Sequence, residues 1–323
     1  EAANAVGEQS VALGNESSAT GVDAIAMGTQ AVANGNSTTT VGGESVATGP
    51  GATAYGWQSA ANAERATALG HLAQADGVRS TAVGEAANAV GEQSVAIGNE
   101  SSATGVDAMA IGTQAVANGN STTTVGGESV ATGPGATAYG WRSAANAERS
   151  TALGHLATAN GLRSTAVGEA AQADGARAVA IGDGAVAAHD DSVALGAGAT
   201  TTRANQVALG TSSSTYTMPG ITSQASRNAQ SGPTQIVTSD ANGNLATDGG
   251  ATFAAIESLS TESDRARRDI EENRRGIALA MAMKAPYVPT GKRFALSVGG
   301  GYFESEEAAA FSAALRASES VHF

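Results

Sequence analysis

Four histidines, at His71, His155, His189 and His322, are the side chains best suited to chemistry in this sequence. None sits in a metal-ligand spacing such as H-E-x-x-H. His189-Asp190-Asp191 leaves two readings open, a cation held at a corner or a solvated loop. Nothing resembles a Walker phosphate loop, a G-x-S-x-G elbow or the calcium-binding nonapeptide, so no enzyme, cofactor or metal site is expected. The absence of Cys removes disulfides and thiolate chemistry. The only tryptophans are Trp57 and Trp141, which occupy equivalent places 84 residues apart. They read either as ligand-facing hot spots or as cover for an edge. Thr38-Thr39-Thr40 and Thr122-Thr123-Thr124 recur at the same long interval, too sparsely for a flat threonine ladder.

What positions these residues is a repeat. Gly14, Gly28, Gly42 and so on to Gly210 are spaced by 14 without a break, and residues 1–84 return almost verbatim as 85–168. Differences between the two copies include Leu13/Ile97, Ile25/Met109, Gln58/Arg142 and Asp76/Asn160. The residue before each periodic Gly is apolar, and the residue three before is β-branched except at Met109. Such alternation predicts a short strand, and Gly a tight corner. Strand, turn, strand and turn fit in 14 residues, one coil of a β-solenoid. The conservative apolar swaps place the larger residues in a packed interior. The residue between them is almost always Ala (Ala12, Ala26, Ala54, Ala68). Ala there fits either a corner with no room for more or a face on which several chains pack, and the second reading is carried forward. With 42 Gly and 4% aromatics, one thin coil buries little alone. The net charge of −13 makes nucleic acid a poor partner.

Beyond the repeat, Asn242-Gly243 predicts a hairpin turn between Gln235–Thr238 and Leu245–Thr247. From Ala251 to Met283, Ile256, Ser263, Ile270 and Ile277 alternate with Leu259, Ala266, Asn273 and Ala280 in a heptad seam, hence a coiled coil. Asn273 is expected as a buried polar layer. Pro286 ends the helix. Phe294, Leu296, Val298, Gly300 and Tyr302 then alternate with Ala295, Ser297, Gly299 and Gly301, as in an outer-membrane strand. A second strand carries Ala309, Phe311, Ala313 and Leu315 outward and Ser312, Arg316 and Ser318 inward, after an acidic turn Glu304–Glu307.

Ser10-Val11-Ala12-Leu13-Gly14, Ser94-Val95-Ala96-Ile97-Gly98 and Ser192-Val193-Ala194-Leu195-Gly196 resemble the head repeats of the YadA-like trimeric autotransporter adhesins. Residues 203–210 and 215–221 resemble that family's neck. The resemblance implies a mainly β fold. It comprises a left-handed parallel β-roll, trimeric and built of 14-residue repeats, then a trimeric coiled coil and the first strands of an outer-membrane β-barrel anchor. The expected organisation is a head over 1–199, a neck over 200–222 and a connector with a β-hairpin over 223–250. A coiled-coil stalk over 251–275 and a partial anchor over 276–323, with a pore helix and two strands, complete it. Glu1 starts in mid-pattern, so the sequence reads as a fragment whose export signal lies upstream or was removed. The family's anchor supplies four strands per chain, and with two the chain is expected to be either truncated or incomplete in its anchor. In this family Asn layers such as Asn273 can surround a chloride; a plain hydrogen-bonded layer is the other reading. The implied function is attachment of a Gram-negative cell to host matrix proteins, cells or surfaces through a multivalent homotrimeric head. A structural fibre or phage-fibre-like spacer is the alternative. Gln9 and Gln93 stand before SVA(L/I)G, where collagen-binding heads of the family commonly carry Asn.

Overall fold

A computed structural model describes residues 2–317 of the 323. Ser318 and His322 lie outside the described residues. The chain divides into two compact units between Tyr216 and Thr217.

The first unit is a parallel β-solenoid of about fifteen 14-residue coils. Each coil contributes to two sheets. One holds two-residue strands, from Asn4–Ala5 to Val186–Ala187; the other holds three-residue strands, from Val11–Leu13 to Val207–Leu209. Pairing is parallel and advances 14 residues per step, as in Thr67↔Thr81, Ala68↔Ala82 and Leu69↔Val83. At the strand spacing of ~4.8 Å, fifteen coils make a rod about 70 Å long.

The interior corrects the expectation drawn from residue size. The core between the two sheets consists of Ala, with Thr40 and Thr124 replacing it in two strands and Ser and Thr at corners. Ala61, Ala66, Ala68, Ala73, Ala75 and Ala82 are fully buried within one chain. The larger residues of the same strands point outward: Ile25, Met27, Tyr55, Leu69, Leu153 and Leu195 are exposed, Leu69 by 43%. The small-residue faces therefore cannot be surfaces shared between chains. A 14-residue coil brings its sheets too close for anything larger than Ala or Thr, so size inverts the usual inside and outside. Several buried Ser hydroxyls meet the corner carbonyls, as where Ser59 Oγ donates to Gly56 O at 3.0 Å, whereas those of Ser80, Ser94 and Ser164 find no partner among the described residues.

The two glycine columns have different causes. The unbroken column has φ between +129° and +145° from Gly14 to Gly182, where a Cβ would overlap the backbone of the next coil. The half-way column lacks positive φ, and Gly is there for close approach alone. It is interrupted by Ala63, Ala147 and His189. Two residues past each corner Gly from Gly14 to Gly168, a non-glycine such as Glu16, Gln30 or Leu72 holds a left-handed φ near +55°.

In the second unit, Pro219–Thr222 forms a 3₁₀ turn and Gln224–Ala229 a short helix that the polar sequence did not announce. Its one signal is Ser223, whose hydroxyl caps Ser226 N. Strands Val237–Ser239 and Leu245–Thr247 pair antiparallel. Their loop has five residues rather than a two-residue turn, because Asp240 Oδ1 accepts from Asn242 N and Asn244 N at 2.9 and 2.8 Å.

The helix Ala251–Ala282 is continuous across the expected stalk and pore segments. Ile256, Leu259, Ile270 and Ile277 of its seam are exposed in the single chain, and so is Asn273. Among the described residues, no helix is long and apolar enough to cross a membrane.

Strands Phe294–Phe303 and Glu306–Leu315 form an antiparallel hairpin. Phe294, Leu296, Val298, Tyr302, Phe311 and Leu315 face out, while the small residues face the helix. Gly299 and Gly301 lie against Ala282 and Ala278, where a Cβ would overlap the helix. Ser297 and Ser312 both donate to Lys284 O. The turn is Glu304-Ser305 alone, because Glu306 and Glu307 already belong to the second strand. Arg274 pairs with Glu304 at 2.7 Å and Arg275 with Glu306 at 3.2 Å.

Candidate functional site

In-register stacking turns every fourteenth residue into a column along the rod. One corner column reads Gly43, Trp57, His71, Glu85, and returns 84 residues later as Gly127, Trp141, His155, Glu169. The Trp57 and His71 rings are stacked, with centres 5.0 Å apart and planes 22° from parallel; Trp141 and His155 repeat this at 5.0 Å and 21°. His71 Nδ1 lies 3.5 Å from Glu85 Oε1, and His155 Nδ1 lies 3.3 Å from Glu169 Oε1. Glycine leaves the indole its place: a Cβ at Gly43 would stand 3.1 Å from Trp57 Cδ1, and one at Gly127 3.2 Å from Trp141 Cδ1. Trp57 remains 47% exposed and Trp141 45%. These tryptophans thus present flat, half-exposed rings at a corner. Tyr55 and Tyr139, each 54% exposed, stand on the neighbouring sheet face.

The two copies differ at one neighbour. Gln58 Nε2 donates to Glu44 Oε2 at 2.7 Å. Its counterpart Arg142 donates from Nε to Glu128 Oε2 at 2.7 Å and holds its guanidinium 4.8 Å above the Trp141 ring centre. The sequence showed each of these residues, but separately. The interval of 14 between Trp57, His71 and Glu85 was the signal that would have joined them.

The His189-Asp190-Asp191 corner is engaged by its own chain. Asp190 Oδ1 accepts from Ala176 N at 2.8 Å. Asp191 takes both nitrogens of Arg177 at 2.5 Å, and that hydrogen-bonded guanidinium holds its carboxyl below the ordinary range. Both carboxylates already serve to join coils.

In the threonine triplets, Thr38, Thr40, Thr122 and Thr124 point inward and are fully buried. Thr38 and Thr122 donate to Gly35 O and Gly119 O at 2.7 Å. The outward members join a column not foreseen from the triplets: Thr39, Thr53, Thr67 and Thr81 stand in successive coils, bordered by Val41, Tyr55, Leu69 and Val83.

The family model for the YadA head domain repeat (2 copies) matches the chain in overlapping segments from residues 1–17 to 190–213. The crystal structure of the collagen-binding domain of the Yersinia adhesin YadA is 26% identical over 56% of this chain and 85% of that one, with a TM-score of 0.34. Comparison with curated proteins finds no match. The matched segments span the solenoid and cover well over half of the sequence, so the chain belongs to the YadA head-repeat family.

Proposed function

We propose that this chain is a surface adhesin of a Gram-negative bacterium that attaches the cell to host matrix proteins, cells or abiotic surfaces. It acts as a homotrimer whose equivalent head sites add through avidity. One observation carries the reading. On the outward face of the three-residue strands, the column one residue before each corner Gly is apolar the length of the solenoid, from Leu13 to Leu209, beside a column that mixes Thr with Val, Ile and Met. A contiguous apolar strip of that extent marks an interaction surface. Parallel copies of the chain cover it, and the exposed helix seam at Ile256, Leu259, Ile270 and Ile277 associates in the same way. This replaces contact through the alanine faces, and the polar columns and the Trp57 and Trp141 corners stay outside the interface.

In the same reading Asn273 forms a hydrogen-bonded polar layer between helices, with a layer that holds a chloride as the alternative. The hairpin with its apolar outer face enters the outer membrane, its small face turned to the helix. That outer face favours an adhesin over a phage fibre. The YadA head family is typically non-enzymatic, and the role proposed for this chain is of the same kind.

The test is a solid-phase panel of matrix proteins and abiotic surfaces, probed with the purified chain and with a form made monomeric by Leu69→Ser and Leu153→Ser. The trimer should bind at least one surface, and the monomer far more weakly. Equal binding by the two forms removes the avidity mechanism.

A further inference from the structure

The two copies of the tryptophan corner carry a natural experiment. In the second, the guanidinium of Arg142 lies over the Trp141 ring while its Nε bonds Glu128 of the preceding coil. In the first, the indole and the carboxylate are both present, as Trp57 and Glu44, but Gln58 stands where the arginine would be. Gln58 offers Glu44 a neutral donor and brings no charge to the ring. A guanidinium bonded to a carboxylate makes a stronger, charge-assisted contact, and its planar cation is attracted to an indole face. His71 stacks on Trp57 from the following coil, whereas the Glu44 side belongs to the preceding one. The approach that Arg142 uses in the second copy is therefore unfilled by charge in the first.

We infer that the Trp57–Glu44 corner binds an arginine side chain of a cationic protein partner, and that the equivalent corner at Trp141 is occupied by the chain's own Arg142. The second copy displays the bound geometry of the first. The net charge of −13 draws a basic partner to the rod and repels an acidic one. With the copies about 29 Å apart along the rod, at ~4.8 Å per coil, each chain offers one open corner rather than two. A single exposed contact of this kind is weak, so useful affinity comes from several chains engaging one partner. The inference rests on the adhesin reading only in taking the partner to be a macromolecule.

Because Trp57 and Trp141 are the only tryptophans, each can be read alone. In the full chain carrying Trp141→Phe, hexa-arginine peptide should change Trp57 fluorescence saturably. In the chain carrying Trp57→Phe, the Trp141 response should need at least about fivefold more peptide. Exchanging the neighbours reverses the order: Gln58→Arg suppresses the Trp57 response, and Arg142→Gln creates one at Trp141. Glu44→Gln should weaken binding at Trp57 about threefold or more, and hexalysine should bind less well than hexa-arginine. All the substituted side chains are at the surface, and circular dichroism checks that each variant is folded.

Equal responses from the two indoles, or an order that the exchange does not reverse, overturn the proposal. The matrix panel is a separate reading. A head that adheres equally well with Gln58→Arg loses this site and keeps its adhesive role. A head that adheres to nothing yet shows the reversal keeps the site and loses that role.

Discussion

Trp57 and His71 are stacked at 5.0 Å, although fourteen residues separate them. The contact exists only because successive coils pair in parallel with no slip. Their rings therefore report the register of the solenoid as directly as any backbone bond. Replacing His71 by Ala should uncover the indole and raise the acrylamide quenching of Trp57 in a Trp141→Phe background. The melting transition should hardly move, since surface substitutions of this kind change stability by about 0.5 kcal/mol or less.

The inverted core makes an opposed pair of predictions. Ala68 is fully buried and Leu69 is 43% exposed, one residue apart in the same strand. Ala68→Leu should destabilise the rod by about 1–3 kcal/mol or more, because no interdigitating space exists to take the added carbons. Leu69→Ser should leave the coil folded and weaken association. Thermal melting and sedimentation velocity on both variants check this. A stable Ala68→Leu chain would return the larger residues to the interior.

The two glycine columns should respond unequally. Gly98 has φ +133° and faces the Gly112 carbonyl, so Gly98→Ala combines backbone strain with overlap and should cost about 2–4 kcal/mol. Gly91 lacks positive φ, but a Cβ there would overlap the Gly105 carbonyl. Gly91→Ala carries that overlap without the conformational strain, and because the column admits Ala63 and Ala147 by a local shift it should cost about 1–3 kcal/mol, less than Gly98→Ala. Denaturation midpoints rank the two.

Asp248 joins the connector hairpin to the long helix. Its carboxylate accepts from Ile236 N at 3.1 Å, Gly250 N at 2.9 Å and Thr252 N at 3.0 Å. Hydrogen bonding, from the Thr252 side chain first and then from the Gly250 and Thr252 amides, lowers its pKa from 3.8 to about 2. The depressed value means that the ionised form favours the folded state. Its stabilisation is complete above about pH 4 and is lost as pH falls through about 2. Helicity followed by circular dichroism should drop over that window, and Asp248→Asn should flatten the drop while lowering helicity at neutral pH.

Alternate glycines of the hairpin should also differ. Gly299 lies against Ala282, whereas nothing lies near a Cβ at Gly300. Gly299→Val should separate strand from helix and speed hydrogen exchange across Phe294–Phe303. Gly300→Val should leave exchange unchanged.

Much of this architecture was written in the order of residues. The interval of 14 set the coil, the register and the columns, because a repeat that identical can stack only on itself. The spacing of Ile256, Leu259, Ile270 and Ile277 marked the long helix, and period-two alternation marked the hairpin with its correct outer face. In the hairpin the two faces differ sharply in size and the small one meets a helix. In the solenoid, strands such as Val95-Ala96-Ile97 carry apolar residues on both faces, and alternation alone cannot say which side is in. Only the folded coil decided it, because the gap between its two sheets admits Ala and excludes Leu. The interval of 14 brings Trp57 beside His71, but that the rings stack, and that Arg142 leans over the adjacent Trp141, was decided only by the folded corner, where side-chain direction is set by the neighbouring coils.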